Sequence, residues 1–346
     1  MFPWDRAKKD LADITEAFSE DDQFEVIGLI AHGSYGSATR VRLKDGDTGD
    51  STDFIVKRAF RTDAAEKAMK DERDYLMKLR GALHIVQILE VEDNPLDEEL
   101  EGEWIMMEWL PNGTVLDLIK KSKGRIKRFP NRLLWRFFLC LIRACIAMAD
   151  PPDNEDGTVE SEIITGPLPD VGIAHSDLHC ANVLLGESPD DIEHLISPIL
   201  KVIDFGRAGE WSFIEFTGTT VHSNLWDIGK LMICLIRLDE RSYVANLGNG
   251  QVLIPHLGNT ITTDGDSILP IDGPDAKYPW LDRDLGKLVC WCLATEPNDR
   301  PDLEELSNQV LTHVSLKRAS SYPNDPEETD DYVSDIWKRM VHDADT

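Results

Sequence analysis

Cysteines at paired metal-binding spacing are absent from this 346-residue chain; none of its six forms a CxxC, which argues against a zinc site. Five of them, Cys140, Cys145, Cys234, Cys290 and Cys292, sit in apolar, helix-like stretches where a thiol acts as a small hydrophobe. That usage suits a reducing, intracellular compartment. Positive charge is scarce as well. Against 64 Asp and Glu stand 36 Lys and Arg, and the net charge of −28 argues against generic binding to nucleic acid or to an anionic membrane. The opening Met-Phe-Pro-Trp-Asp-Arg lacks the apolar core of a signal peptide. The most apolar run, residues 133–149, carries Arg136 and Arg143 and reads as a core helix rather than a membrane span. No internal repeat is visible.

What is present is enough apolar sequence, 42%, for a substantial core, and one local exception to the acidity. Lys120, Lys121, Lys123, Arg125, Lys127 and Arg128 fall within residues 120–128, either a solvated loop or a dock for an acidic partner. Residues 5–20 read as a polar helix. Short β-type runs follow at Phe24-Glu25-Val26-Ile27, residues 37–43 and Phe54-Ile55-Val56-Lys57, with a Gly-containing turn at residues 44–49. The period becomes helical over 63–80, with Ala65, Met69, Leu76 and Leu79 on one side. Two strands are expected at 84–92 and 104–109, joined by an acidic loop. Beyond Pro111-Asn112-Gly113 the chain is mainly helical, at 114–121, 131–149, 224–238, 282–294 and 302–314. Short strands lie near 183–185 and 199–203. An acidic, Pro-rich insertion occupies 150–170, a Gly-rich irregular stretch 247–279, and a mobile acidic tail 324–335. A β-rich first part thus precedes a larger helical part.

Two segments carry chemistry. Ala31-His32-Gly33-Ser34-Tyr35-Gly36 lies between strand-like runs, where small residues let a hairpin backbone approach phosphates. Lys57 closes an apolar strand 21 residues on. More specific is His175-Ser176-Asp177-Leu178-His179-Cys180-Ala181-Asn182, followed 22 residues after Asn182 by Asp204-Phe205-Gly206. An acidic side chain ending an apolar strand before Phe-Gly suits a hard cation such as Mg²⁺, with an Asn carbonyl as a further oxygen ligand.

These residues resemble the protein-kinase family, over residues 24–314. Asp177 to Asn182 is similar to its catalytic loop, Asp204-Phe205-Gly206 to its DFG motif, and Ile55-Val56-Lys57 to its third-strand lysine motif. Glu72 fits the helix glutamate, residues 104–110 the hinge with Met107 as gatekeeper, and Cys292-Leu293 through Arg300-Pro301 the late CLxxDPxxRP signature. The fold implied is α+β and bilobal, with an N-lobe at 24–110 and a C-lobe at 111–316. A helical extension (1–23) and an acidic tail (317–346) flank them.

The resemblance implies ATP and Mg²⁺ as cofactors and a protein Ser/Thr hydroxyl as acceptor. Lys57, held by Glu72, orients the α- and β-phosphates. Asn182 and Asp204 hold Mg²⁺, and Asp177 takes or orients the hydroxyl proton. Ala31, Gly33, Tyr35 and Gly36 cover the phosphates. Ile55, Leu110 and Leu184 form the adenine slot, and Glu108 and Leu110 lie on the hinge whose backbone meets the base. His179 stands in place of the family's lysine, within reach of the γ-phosphate.

The departures bear on the acceptor. Ala31 replaces the first loop glycine, and Ser176 replaces the arginine that grips a phosphorylated activation loop. Residues 207–223 form a segment shorter than the family's, without an APE motif. Asn224 replaces the aspartate that opens the central C-lobe helix. Arg300 therefore needs a substitute partner, Glu210 or Glu215. Two other readings stay open: a pseudokinase or nucleotide-binding scaffold, and an aminoglycoside- or choline-kinase-like enzyme.

Overall fold

The computed structural model describes residues 2–44, 51–91, 94–152, 157–189, 191–212, 214, 217–241, 250–254 and 258–342. Helix α1 (Pro3–Ala17) precedes an antiparallel sheet of β1 (Phe24–His32), β2 (Gly36–Lys44) and β3 (Ser51–Ala59). Then come α2 (Asp63–Lys78), the single turn α3 (Leu96–Glu99) and β4 (Trp104–Glu108), which closes the sheet beside β3. The turn expected at 44–49 lies, past Lys44, outside the described residues.

Alternation along β3 separates two functions. Lys57 points into the cleft, and its neighbour Arg58 points to the opposite face. There Arg58 Nη1 reaches Asp13 at 2.7 Å and Asp10 at 3.5 Å, both on α1, and Ser37 Oγ donates to Asp10 at 2.7 Å. Ile14, Ala17 and Phe18 pack with Phe24, Val41, Phe54, Val56 and Met106. The helical extension is thus part of the N-lobe core.

The strand expected at 84–92 does not form within the described residues 84–91. Only isolated bridges, Ile85 to Val202 and Ile88 to Met107, link this segment to neighbouring strands. Its local chemistry competes with a ladder. The Gln87 side chain folds back to accept from Gly81 N and donate to the Ala82 and Ile85 carbonyls, while His84 N donates to Glu162.

The C-lobe begins with α4 (Val115–Ser122), started by a reciprocal Thr114–Asp117 cap. Helix α5 (Asn131–Ala149) is buried along its whole length. Two short antiparallel pairs follow: β5 (Gly172–Ala174) with β8 (Gly209–Trp211), and β6 (Val183–Leu185) with β7 (Leu200–Val202). Helix α6 (Thr220–Arg237) starts a turn earlier than the expected 224, because Thr219 caps it by accepting from His222 N. The stretch read as irregular at 247–279 contains a hairpin, β9 (Gly250–Ile254) with β10 (Asn259–Thr263), held to the core by Thr263 Oγ1 donating to Cys290 O. Helices α7 (Arg283–Cys292) and α8 (Leu303–Leu316) follow. Among the described residues no helix is long and apolar enough to cross a membrane.

The acidic tail is not a mobile tail through residue 342. A turn at Pro326–Glu328 leads to α9 (Asp330–His342), whose Val333, Ile336, Trp337, Met340 and Val341 are buried in the C-lobe core. Acidic composition over 324–335 masks an apolar stripe that starts only at 333. Asp330 and Asp331 suit the helix N-terminus. This segment also meets the basic run at 120–128. Arg128 pairs with Asp325 at 2.5 Å and Glu327 at 2.9 Å, and Lys121 donates to Val341 O. Lys123 pairs with Asp239 and Glu240. Much of the expected acidic partner is thus the chain itself.

Candidate functional site

The cleft between the lobes gathers Lys57, Glu72, Asp177, Asn182 and Asp204. Thr62 caps α2, and the buried stripe Ala65, Met69, Glu72, Leu76 sets a carboxylate where an apolar side chain would otherwise stand. Its partner is Lys57, whose Nζ donates to Glu72 at 2.6 and 2.8 Å and to Asp204 Oδ1 at 3.0 Å. Burial alone would favour the neutral amine. The two carboxylates outweigh it and hold Lys57 above the ordinary lysine range. Asp204 is in turn pushed up by burial, but Lys57 more than offsets this and keeps it below the usual carboxylate range.

Backbone strain marks the same place. Asp204 has φ 70° and Ser176 φ 62°, left-handed conformations unusual for residues other than glycine. The loop between them is fixed by His175. Its Nε2 donates to Ile203 O at 2.9 Å, which leaves Nδ1 to accept from Asp177 N at 3.3 Å. Burial lowers the His175 pKa, in keeping with this neutral tautomer. Asn182 Nδ2 donates to Asp177 O at 2.9 Å, and Ile203 N to Asn182 O.

Asn224 anchors the loop from below. It accepts from His175 N at 3.0 Å and donates to Ile173 O at 2.9 Å, with 1% of its surface exposed. Charge is therefore not needed for this anchoring role; two amide hydrogen bonds serve. Asn224→Ala leaves a buried N–H and a buried carbonyl unpaired. It is expected to lower unfolding stability by about 2–3 kcal/mol, read from the urea midpoint. A change below about 0.5 kcal/mol would mean the loop holds itself.

The residues expected to cover the phosphates lie at the β1–β2 tip, where Ala31 pairs with Ala38 and Gly33 N donates to Gly36 O at 2.9 Å. Gly33 faces open space and Tyr35 is exposed. Ile55, Met107 and Leu110 are buried, and Leu184 is half-buried on β6. Glu108 differs from expectation in its side chain, which accepts from Lys201 at 2.6 Å and Gln87 N at 2.8 Å. Its main-chain N–H donates to Gln87 O at 3.0 Å, so neither the side chain nor the N–H is left to meet a base.

His179 is placed beside Asp177, with Nδ1 accepting from Ala181 N and Nε2 3.8 Å from Asp177 Oδ1. A residue not singled out beforehand joins them: Arg207 Nη1 lies 3.7 Å from Asp177 Oδ1. Its position directly after Asp204-Phe205-Gly206 was the available signal. Arg300 does not pair with Glu210. It donates to the carbonyls of Ala294, Thr217 and His222, while Glu210 pairs with Lys78; Glu215 is outside the described residues.

The donor set fits a nucleotide with a hard cation. Leu110 N, buried at the hinge, donates no hydrogen bond among the described residues, and an adenine acceptor would satisfy it. Asn182 Oδ1 and Asp204 Oδ2 accept none there either, which leaves two oxygen donors of the type Mg²⁺ prefers.

No protein-family model matches the chain. Curated relatives do. It is 22% identical over 303 residues to the probable serine/threonine-protein kinase nek2 of Dictyostelium discoideum, covering 86% of this chain and 64% of that one. To the G2-specific protein kinase nim-1 of Neurospora crassa it is 24% identical over 328 residues, covering 86% and 34%. To the proto-oncogene tyrosine-protein kinase ROS of Mus musculus it is 25% identical over 232 residues, covering 61% and 8%. The chain thus spans less than two thirds of the length of these relatives. It carries a protein kinase-like domain with the bilobal fold.

Proposed function

We propose that this domain is an ATP- and Mg²⁺-dependent phosphotransferase that moves the γ-phosphate to a protein Ser or Thr hydroxyl. The observation that carries the reading is the joined Lys57–Glu72–Asp204 cluster, an arrangement with no evident packing value in a cleft. Lys57 orients the α- and β-phosphates, and Asn182 and Asp204 hold the metal ion. Mg²⁺, when bound, neutralises charge developing on the transferring group. Asp177 receives or orients the acceptor hydroxyl proton, with His179 and Arg207 beside it to meet phosphate oxygens. Positioning and fixed charge supply most of the rate in such chemistry. Six buried, unpaired cysteines support a reducing, intracellular setting. The better-covered relative described as a serine/threonine kinase supports the choice of acceptor.

Asp177→Ala is expected to slow transfer from labelled ATP to peptides by roughly 10²–10⁴-fold. The same variant keeps the thermal stabilisation given by ATP·Mg²⁺, about 2.7 kcal/mol at a ligand concentration 100-fold above Kd. Loss of nucleotide binding in this variant would make Asp177 structural, and a wild-type chain that ATP·Mg²⁺ does not stabilise would leave a scaffold.

A second reading has one observation of its own. Only residues 207–219 separate Gly206 from α6, and Arg300 finds carbonyls rather than the glutamate of an APE motif. Both favour a small alcohol over a peptide laid across this segment. Offering small alcohols and peptides side by side separates the two.

A further inference from the structure

Behind the cleft, three side chains far apart in sequence converge in the interior. His84 lies in the segment after α2, Cys140 on α5, and His194 between β6 and β7. Each is at most 2% exposed, and one ligand-competent atom from each lies within 4.8 Å of the others. Cys140 Sγ is 3.3 Å from His194 Nε2. In a tetrahedral zinc site, bond lengths of about 2.3 Å to sulfur and 2.0–2.1 Å to nitrogen put such a pair about 3.6 Å apart. The observed spacing needs only a small expansion.

The surroundings are those of ligands already oriented. His84 Nδ1 contacts Glu162 Oε2 at 2.6 Å, and the other oxygen of Glu162 accepts from His84 N at 2.8 Å. His194 Nδ1 contacts Asp191 at 2.9 Å, and its backbone N donates to the same carboxylate. Both imidazoles therefore present Nε2 inward, with a carboxylate behind each ring. That second shell fixes the tautomer of metal-bound histidines and raises their basicity. His84 Nε2 is buried and makes no hydrogen bond, a cost that a ligand aimed at it would remove. Arg143 braces the arrangement by donating to Glu162 O and pairing with Glu193 at 2.5 Å.

We propose that His84, Cys140 and His194 form a buried zinc site that fastens the segment following α2 to α5. Thiolate and imidazole ligands together suit zinc rather than Mg²⁺ or Ca²⁺, and a water molecule would complete the tetrahedron. Binding takes Cys140 as thiolate, and its proton leaves to solvent. The absence of CxxC spacing does not bear on this set, because its ligands come from three separate segments. It also gives the 150–170 insertion a task, since Glu162 is the carboxylate behind His84.

The test uses the full chain, stripped with a chelator and dialysed against Zn²⁺ with excess Mg²⁺ present to compete for the carboxylates of the cleft. One zinc per chain is expected by elemental analysis. Cys140→Ser should lose it and Cys145→Ser keep it. Glu162→Gln leaves all three ligands in place and should weaken zinc binding roughly 10–100-fold. If a buried substitution prevents folding, Co²⁺ added to the unaltered chain still decides, through the thiolate-to-cobalt charge-transfer band expected in the near ultraviolet. No retained zinc together with no such band overturns the proposal. So does full zinc retention in a folded Cys140→Ser.

Discussion

Asp204→Asn is expected to reduce phosphoryl transfer by at least about 10²–10³-fold, the scale of removing one preorganised electrostatic partner from a transition state. The substitution is a narrow one. Asn tolerates a left-handed φ about as well as Asp, so the backbone at 204 can be kept. Lys57 retains both bonds to Glu72 and stays in place. What is lost is one carboxylate charge facing the metal and the lysine. Single-turnover transfer from labelled ATP measures this directly, and titration with ATP in the absence of Mg²⁺ checks that the adenine slot is intact. Transfer at the wild-type rate would remove Asp204 as a metal ligand.

The largest expected stability effect lies far from the cleft, at Glu328. Helix α5 begins at Asn131 after Pro130, with no side-chain cap of its own. The fully buried Glu328 carboxylate replaces one, accepting from Asn131 N at 2.6 Å, Asn131 Nδ2 at 2.9 Å and Arg132 N at 3.0 Å. Its own carbonyl accepts from Arg132 Nη1. Glu328→Ala therefore uncaps a buried helix and leaves several donors unpaired beside a buried guanidinium. A loss of about 3–5 kcal/mol is expected, read from the urea midpoint. Glu328→Gln keeps an acceptor oxygen and should fall between wild type and Ala. A loss under about 1 kcal/mol for Ala would mean that α5 needs no cap from this segment.

What could be read beforehand depended on how local its cause was. Thr62 and the stripe through Leu76 specify α2 from within, and Asp177 to Asn182 form one loop whose bonds are mostly to each other. Lys57 and Asp204 are far apart, yet each directly follows an apolar run visible in the sequence. The misread parts have distant causes. Residues 84–91 look like a strand until Glu162 draws away His84 N and Gln87 turns back on its own segment. The acidity of 324–335 hides its match to Arg128 and Arg132, each paired nearly 200 residues away. Arg300 is satisfied by carbonyls, which no side-chain pattern can announce. The Glu108 side chain is claimed by Lys201 across the cleft, again a pairing without sequence signature.

The docking of α9 also orders events during synthesis. The sheet of the N-lobe and the helix laid on it are complete once β4 has left the ribosome. The C-lobe core is not. Its longest buried helix waits for Glu328, and the face of α4 for Trp337 and its neighbours. At ordinary elongation rates that delay is on the order of 10–50 s. Throughout it the emerging second lobe exposes the apolar face of α4 that α9 covers, and chaperone occupancy on nascent chains should fall only as the last residues of α9 appear.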